Sequence, residues 1–292
     1  MDAVFHRPVQ PNDSISVLTL NLWGTNGPVD RRLELLASYL DATQPDIVAF
    51  QEVRFLGGRS QSELIAEACG YPSSHYDRSW GSGAEEEGLA VLSRHPLTAS
   101  PSVPLPDRDR DLPRQLQRVE IQVNGRSLLV ANTHLAFRRH HGRLRLQQVR
   151  RILEALSTGS DSADDTDGDD VHSVDDSHRR SRRRADHPMI LVGDLNASSW
   201  SPAVRRLLAP SPRGAGLRDA HAAAAGRARA TFSLANPFAN QYSLLGRRVD
   251  HVLVSPDLRV IDARRVLTGS DAPVVSDHYG VRADLVVPSA AR

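Results

Sequence analysis

Six short apolar runs in this 292-residue chain begin or end in Asn, Glu, His or Asp. They are Leu18-Thr19-Leu20-Asn21, Ile47-Val48-Ala49-Phe50-Gln51-Glu52, Leu129-Val130-Ala131-Asn132-Thr133-His134, Ile190-Leu191-Val192-Gly193-Asp194-Leu195-Asn196, Val249-Asp250-His251-Val252-Leu253-Val254 and Ser276-Asp277-His278-Tyr279-Gly280-Val281. Strand-like runs bury their middles and display their ends, so reactive groups there cost little packing. Asn21, Glu52, His134, Asp194 and Asn196 follow a carboxyl end, whereas Asp250, Asp277 and His278 precede or open a run. If the last two strands run antiparallel to the others, all of these residues meet at one rim of the sheets. Carboxylates and amide oxygens suit Mg2+ or Mn2+, whereas Zn2+ would want more His or Cys. A hard cation beside histidines suits phosphate-ester hydrolysis, because the metal neutralises phosphate charge. An Asp can orient and charge a His that exchanges protons with water or a leaving group. Asn amides can hold non-bridging oxygens without adding negative charge.

The elements that must position these groups read as strands over Ile15–Leu20, Asp46–Phe50, Gly88–Ser93, Arg118–Val123, Ser127–Asn132, Met189–Gly193, Arg248–Val254 and Val281–Val287. Asn124-Gly125 is a type I′ turn signal, so Arg118–Asn132 reads as a hairpin. Helical patterns fall over Val29–Thr43, Gln61–Cys69 and Gly142–Leu156. Strands mixed with helices, plus a hairpin, predict an α/β fold with a mixed sheet. Pro101–Pro113 is rich in Pro, Asp and Arg and is expected to be an exposed loop. Residues 157–187 carry almost no apolar side chains and run into Arg179-Arg180-Ser181-Arg182-Arg183-Arg184. That composition predicts a disordered insertion. Its arginines could grip phosphate backbones, but a solvated, self-neutralising loop is the simpler reading. The motifs span the chain, so one domain over 1–292 is expected, with a core of about 14–288.

The formal net charge of +1 gives no global field toward nucleic acid. The 36 Lys+Arg residues are all arginine. This excludes a phosphate-binding loop lysine and a Schiff-base lysine. One cysteine, Cys69, excludes an intramolecular disulfide and a multi-cysteine zinc site. Met1 to Asp13 lacks an apolar signal core, and no run approaches the roughly 20 apolar residues of a membrane span. A cytoplasmic monomer is the default expectation.

The six motifs, in this order, resemble those of the endonuclease/exonuclease/phosphatase superfamily, which includes deoxyribonuclease I, exonuclease III, neutral sphingomyelinases and inositol polyphosphate 5-phosphatases. The matching stretches are Asn21-Leu22-Trp23-Gly24, Gln51-Glu52-Val53, Asn132-Thr133-His134-Leu135, Gly193-Asp194-Leu195-Asn196, Arg248-Val249-Asp250-His251 and Ser276-Asp277-His278-Tyr279-Gly280-Val281. The resemblance implies a four-layered α/β sandwich of two packed mixed sheets covered by helices. It implies Glu52 as the principal Mg2+ ligand, with Asn21 and Asp277 near the metal or its waters. Asp194 would orient or deprotonate the attacking water, Asn196 would hold a phosphate oxygen, and His134 would hydrogen-bond the phosphate. His278, paired with Asp250, would act as acid or base or stabilise the transition state. Which of Asp194 and His278 is the base stays open. His251 stands where many members carry Tyr, and it is expected to face away from its neighbours and pack. A Tyr replaces His134 in the exonuclease III branch, which tilts this chain toward deoxyribonuclease I and sphingomyelinases.

Each residue also has a plainer reading. Glu52 could be a surface carboxylate, Asp194 and Asn196 turn caps, and His134 a satisfied histidine. The motif context favours function for all of them. Trp23 and Trp80 could stack a base or lipid headgroup, but packing is the simpler reading. Arg118, at a strand edge, is a candidate to reach the phosphate. The expected activity is Mg2+-dependent hydrolysis of a phosphoester. The substrate could be nucleic acid, a phospholipid headgroup or a small phosphodiester, and a catalytically inactive phosphate-binding module is the non-enzyme rival.

Overall fold

The computed structural model describes residues 14–108, 112–157, 188–210, 214–224, 229–239 and 246–288. Nearly all of the expected insertion at 157–187 lies outside them. One six-stranded sheet has the order β13-β14-β1-β2-β6-β5. It is built from β1 (Ser14–Asn21), β2 (Ile47–Val53), β5 (Ser73–Trp80), β6 (Glu87–Ser93), β13 (Arg259–Val266) and β14 (Gly280–Val286). The other has the order β11-β12-β10-β9-β8-β7. Its strands are β7 (Leu97–Pro104), β8 (Gln115–Val123), β9 (Arg126–His134), β10 (Met189–Asp194), β11 (Arg218–Asp219) and β12 (Asp250–Val254). A small ribbon pairs β3 (Phe55–Leu56) with β4 (Arg59–Ser60).

Both sheets are mixed, and in the same way. β1 and β2 are parallel, as are β9 and β10, and every other pair is antiparallel. A parallel neighbour needs a crossover, and each sheet uses a helix for it. These helices are α1 (Val29–Thr43) between β1 and β2, and α3 (Gly142–Ser157) between β9 and β10. α2 (Gln61–Ala68) begins at a capping box, in which Ser60 Oγ accepts from Glu63 N while the Glu63 carboxylate accepts from Ser60 N. α4 (Pro202–Leu208) is capped by Ser201, and the single turn α5 (Ala220–Ala223) by Asp219.

Strand alternation sorts the apolar side chains into three cores. Ile15, Val17, Ile47, Ala49, Val130, Ile190, Val192, Val252 and Val281 fill the space between the sheets. Their alternates Leu18, Leu20, Val48 and Phe50 face outward onto Leu36 and Leu40 of α1 and Ile65 of α2. Ala131, Leu191 and Leu253 face outward onto Val149 and Ile152 of α3 and Val204 and Leu207 of α4. The result is helix, sheet, sheet, helix: the four-layered sandwich expected from the motifs.

The β8–β9 turn is type I′, with positive φ at both Asn124 (52°) and Gly125 (75°). Pro101–Pro104 is not loop but the end of β7. The edge position tolerates these prolines, because their missing N–H groups need no second partner strand. At Gly193, φ is 133° and a Cβ would lie 1.9 Å from Thr133 O, so only glycine lets β10 lie this close to β9.

Candidate active site

β14 runs antiparallel to β1, and β12 antiparallel to β10, so the polar ends do converge on one rim. Asn21, His134, Asp194 and Asp250 share the parity of the residues between the sheets. They therefore extend that inner face past the last apolar layer, into the mouth of the inter-sheet cleft. Glu52 has the opposite parity and would follow Phe50 onto the helix side. A register break between Phe50 and Val53 and a φ of 53° at Glu52 turn it back toward the cluster. Its carboxylate Oε1 then accepts from Asn21 Nδ2 at 3.0 Å.

Asn21 is a bridge. Its Nδ2 also donates to Asp194 Oδ2 (3.2 Å), while its Oδ1 accepts from Trp23 N (2.9 Å). Asp194 Oδ2 lies 3.4 Å from His134 Nε2 and 3.8 Å from His278 Nε2. Its Oδ1 accepts from Asn196 N (2.8 Å), an Asp-initiated turn that places Asn196 at φ 47°. Asp250 Oδ2 accepts from His278 Nδ1 at 2.9 Å.

His134 is fixed by a residue not singled out in the sequence. Arg114 Nη1 lies 3.0 Å from His134 Nδ1. A guanidinium can only donate, so Nδ1 is bare and the proton sits on Nε2. The Asn196 Nδ2 stands 3.0 Å from Nε2 and donates to Leu135 O (3.1 Å), while Asp194 Oδ2, 3.4 Å from Nε2, is the acceptor on that side. Arg114 is itself seated against buried Glu87, 3.8 Å away, which also accepts from Arg54 Nε (3.2 Å) and Trp80 Nε1 (3.1 Å). Arg114 directly follows Pro101–Pro113, the stretch whose Pro/Asp/Arg composition reads as surface loop, so only the tertiary contact reveals it.

The electrostatics separate the two histidines. Burial pushes His134 well below its ordinary pKa, and Arg114 and His278 push it further, so it is neutral. Burial also pulls His278 down, but the Asp250 and Asp194 carboxylates outweigh it and raise its pKa well above the usual value. Burial drives Asp194 up to about 6, with His278 opposing the shift. Glu52 keeps 26% of its side-chain surface exposed yet sits deep among other acids. Burial, then Glu87 and Asp277, raise its pKa. Burial raises Asp277 also.

Crowded carboxylates with raised pKa values are the donor set of a hard cation. Asp250 Oδ1 is buried without a hydrogen-bond partner, a further acceptor in search of positive charge. Asp194 and Asp250 each present a carboxylate oxygen within 4.8 Å of the other and of a ring nitrogen of His278. The residues present therefore fit a divalent cation.

Two latches hold the rim. Buried Arg32 of α1 donates to the carbonyls of Leu22, Gly24, Asn26 and Val275, tying the loop after Asn21 to the segment before Asp277. Ser276 Oγ donates to Asn21 O (2.6 Å), and Asn236 Nδ2 donates to Ser276 O (2.8 Å). Phe232 packs its ring 4.9 Å from His278. Below the rim, buried amides bridge the sheets. Gln51 Nε2 donates to Asn132 Oδ1 (2.8 Å), and Asn132 Nδ2 donates to Phe50 O (3.0 Å) and Gln117 Oε1 (3.1 Å).

Thus Asn21, Glu52, His134, Asp194, Asn196, Asp250 and His278 are brought together, with Asp277 beside them. Arg118 is not. Its guanidinium donates to Ala155 O at the end of α3 (3.4 Å) and to Pro101 O (3.1 Å). It sits opposite Ala131, well down β9 from His134. His251 faces outward and is buried, its Nε2 donating to Ala197 O (2.8 Å). Trp23 stacks on Phe238 (5.5 Å) and Trp80 under Arg54 (4.7 Å), both as packing.

Comparison with known proteins agrees with this architecture. Human nocturnin's catalytic domain, solved with a bound sulfate anion, aligns over 94% of this chain and 93% of its own, with TM-score 0.64 and 20% identity. Danio rerio TDP2, solved with a single-strand DNA product, aligns over 94% and 99%, with TM-score 0.67 and 16% identity. A Leptotrichia buccalis endonuclease/exonuclease/phosphatase family protein aligns over 94% and 100%, with TM-score 0.68 and 17% identity. At these identities the likeness is one of fold. In sequence, protein angel homolog 2 of Danio rerio is 29% identical over 177 residues, which is 57% of this chain. The alignment covers only 27% of that relative's length. The model of the Endonuclease/Exonuclease/phosphatase family matches residues 18–278, and the chain belongs to that family.

Proposed function

We propose that the protein is a Mg2+-dependent phosphoesterase that cleaves a phosphodiester P–O bond by direct attack of water. The observation that carries this reading is the position of Asp194 Oδ2, which faces Asn21, His134 and His278 at once. Glu52, Asp277 and Asn21 are the residues to hold the cation. When bound, it supplies neutralisation of the phosphate and of charge developing on its oxygens.

The chain's own groups divide the remaining work. Asp194, with its raised pKa, orients a water and accepts its proton at Oδ2. The Asn196 amide and the proton on His134 Nε2 donate to non-bridging phosphate oxygens without adding negative charge. Charged His278, its Nδ1 committed to Asp250, offers the proton on Nε2 to the leaving oxygen. With 3.8 Å between Asp194 Oδ2 and His278 Nε2, the proton returns through the solvent that enters as product leaves, which resets the pair. This assigns the base to Asp194 and the acid to His278, as their opposite environments favour. The sulfate in the nocturnin domain and the DNA product in Danio rerio TDP2 support a tetrahedral-anion, diester-type substrate.

The test is turnover of bis-p-nitrophenyl phosphate, plasmid DNA, RNA, sphingomyelin and inositol phosphates, each with Mg2+ and with EDTA. Hydrolysis that needs Mg2+ and is lost in His278→Ala is expected. A wild type that turns over nothing, like the variant, would overturn the reading.

A further inference from the structure

Thr231 lies between α5 and β12 in the chain and is fully buried. It grips the backbone on both sides of the Asp250–His278 pair. Its Oγ1 accepts from Val249 N (3.0 Å) and from Asp250 N (3.2 Å). Its carbonyl accepts from the N–H of Tyr279, the residue after His278 (2.8 Å). Its own N–H donates to Arg247 O (3.0 Å), which fixes the threonine in turn.

These contacts fall where the sheet ladders stop. β11 pairs only with Leu253 and Val254, so the beginning of β12 has no strand on that side among the described residues. Buried N–H groups need acceptors, and one hydroxyl serves two in succession. β14 is paired from Gly280 onward, so Tyr279 N lies just past its ladder, and the Thr231 carbonyl takes it. Phe232 continues the brace, bridging to Arg247 and to His278, with its ring 4.9 Å from the imidazole. β12 and β14 belong to different sheets, so neither ladder sets how far Asp250 stands from His278.

We propose that Thr231 is the positioning residue of the pair: the hydroxyl and carbonyl of one residue hold Asp250 and His278 at the spacing that aims the acid at the leaving oxygen. This rests on the phosphodiesterase reading and adds a residue to it. Valine has nearly the same shape but cannot accept, so Thr231→Val leaves the Asp250 N–H unpaired and frees the start of β12. A displaced acid harms a leaving group in proportion to its need for a proton. Phenolate needs one far more than p-nitrophenolate, whose nitro group already spreads the charge.

The experiment compares turnover of diphenyl phosphate and bis-p-nitrophenyl phosphate with Mg2+. Thr231→Val should lose about 10²-fold in kcat on diphenyl phosphate, as for a catalytic group misplaced by about 1 Å, with KM little changed. It should lose clearly less on bis-p-nitrophenyl phosphate. Thr231→Ser, which restores the acceptor, should recover both. In EDTA, the NMR resonance of the His278 Nδ1 proton, a signature of its bond to Asp250, should move in Thr231→Val and return in Thr231→Ser. If the buried valine prevents folding, Thr231→Cys, a weaker acceptor of similar size, should show the same discrimination to a lesser degree. Equal losses on the two esters in a folded variant, no rescue by serine, or an unmoved resonance would overturn the proposal. A wild type that hydrolyses neither ester overturns the phosphodiesterase reading instead, and the resonance then still decides whether Thr231 sets the pair.

Discussion

His278 Nδ1 and Asp250 Oδ2 lie 2.9 Å apart across the two sheets, Asp250 opening β12 and His278 standing just before β14. The pair welds the sheets at the rim and holds one proton of His278 on Nδ1, so the proton the charged ring can give up is the one on Nε2. Asp250→Asn keeps the shape and removes the charge that raises the histidine's pKa. Turnover should fall by about 10²- to 10⁴-fold with KM changed little, and the His278 titration followed by NMR should move down. Full activity in a folded Asp250→Asn would remove the acid assigned here.

Arg114 sets the tautomer of His134 and helps keep it neutral. Arg114→Met takes away a positive neighbour, so the His134 pKa should rise, with burial still opposing the charged form. Turnover of a small diester should fall by roughly tenfold or more, the share of one misplaced hydrogen-bond donor to the phosphate. An NMR titration of His134 indistinguishable from wild type would show that the guanidinium does not govern the ring.

Glu52 is a charge held among charges. Without metal, Glu52→Gln should melt at the same temperature as wild type or higher, because the repulsion from Glu87 and Asp277 is gone. Adding Mg2+ should raise the melting temperature of wild type, as any ligand bound only by the folded state does. It should leave Glu52→Gln unmoved. A variant that gains as much as wild type would place the cation elsewhere in the cluster.

Asp219 anchors the loop beyond Asn196 from behind. It pairs with Arg248, which also donates to Ser199. His251 Nδ1 approaches Asp219 to 3.8 Å, too far for a hydrogen bond, so the guanidinium is the principal partner. Burial alone would raise the Asp219 pKa, but His251 and Arg248 outweigh it and hold it well below the usual carboxylate range. A depressed pKa means stability that is present above the unfolded value of about 3.9 and lost as pH falls further. Asp219→Asn should therefore cost about 3–5 kcal/mol at pH 7, the range for breaking a buried pair. The deficit should shrink as pH drops below about 4, which melting curves at pH 7 and pH 3.5 would show.

The strands legible in the sequence and those that were not divide by position. β1, β2, β6, β8, β9, β10, β12 and β14 announce themselves as apolar runs. All but the small ribbon of the remaining strands lie at sheet edges: β5 and β13 in one sheet, β7 and β11 in the other. An edge strand keeps one side of its ladder and much of its surface in water, so Ser73–Trp80 and Leu97–Pro104 can be polar or carry proline. The site divides differently. Its acids, amides and histidines sit at strand ends, where order along the chain suffices to find them. Arg114, Glu87 and Arg32 act through contacts between segments far apart in sequence, and nothing local marks them. Arg118, a strand arginine of the same outward appearance as Arg114, faces the end of α3 instead.

The amide bridge from Gln51 to Asn132 bears on more than satisfying two buried side chains. Apolar faces can slide over one another with little penalty, because dispersion has no preferred direction. Hydrogen bonds do, and these tie β2 of one sheet to β9 of the other directly beneath the rim. Glu52 and Asn21 ride on the first sheet, His134 and Asp194 on the second. The bridge therefore works as a dowel: it forbids shear between two halves whose alignment is the whole basis of the proposed chemistry.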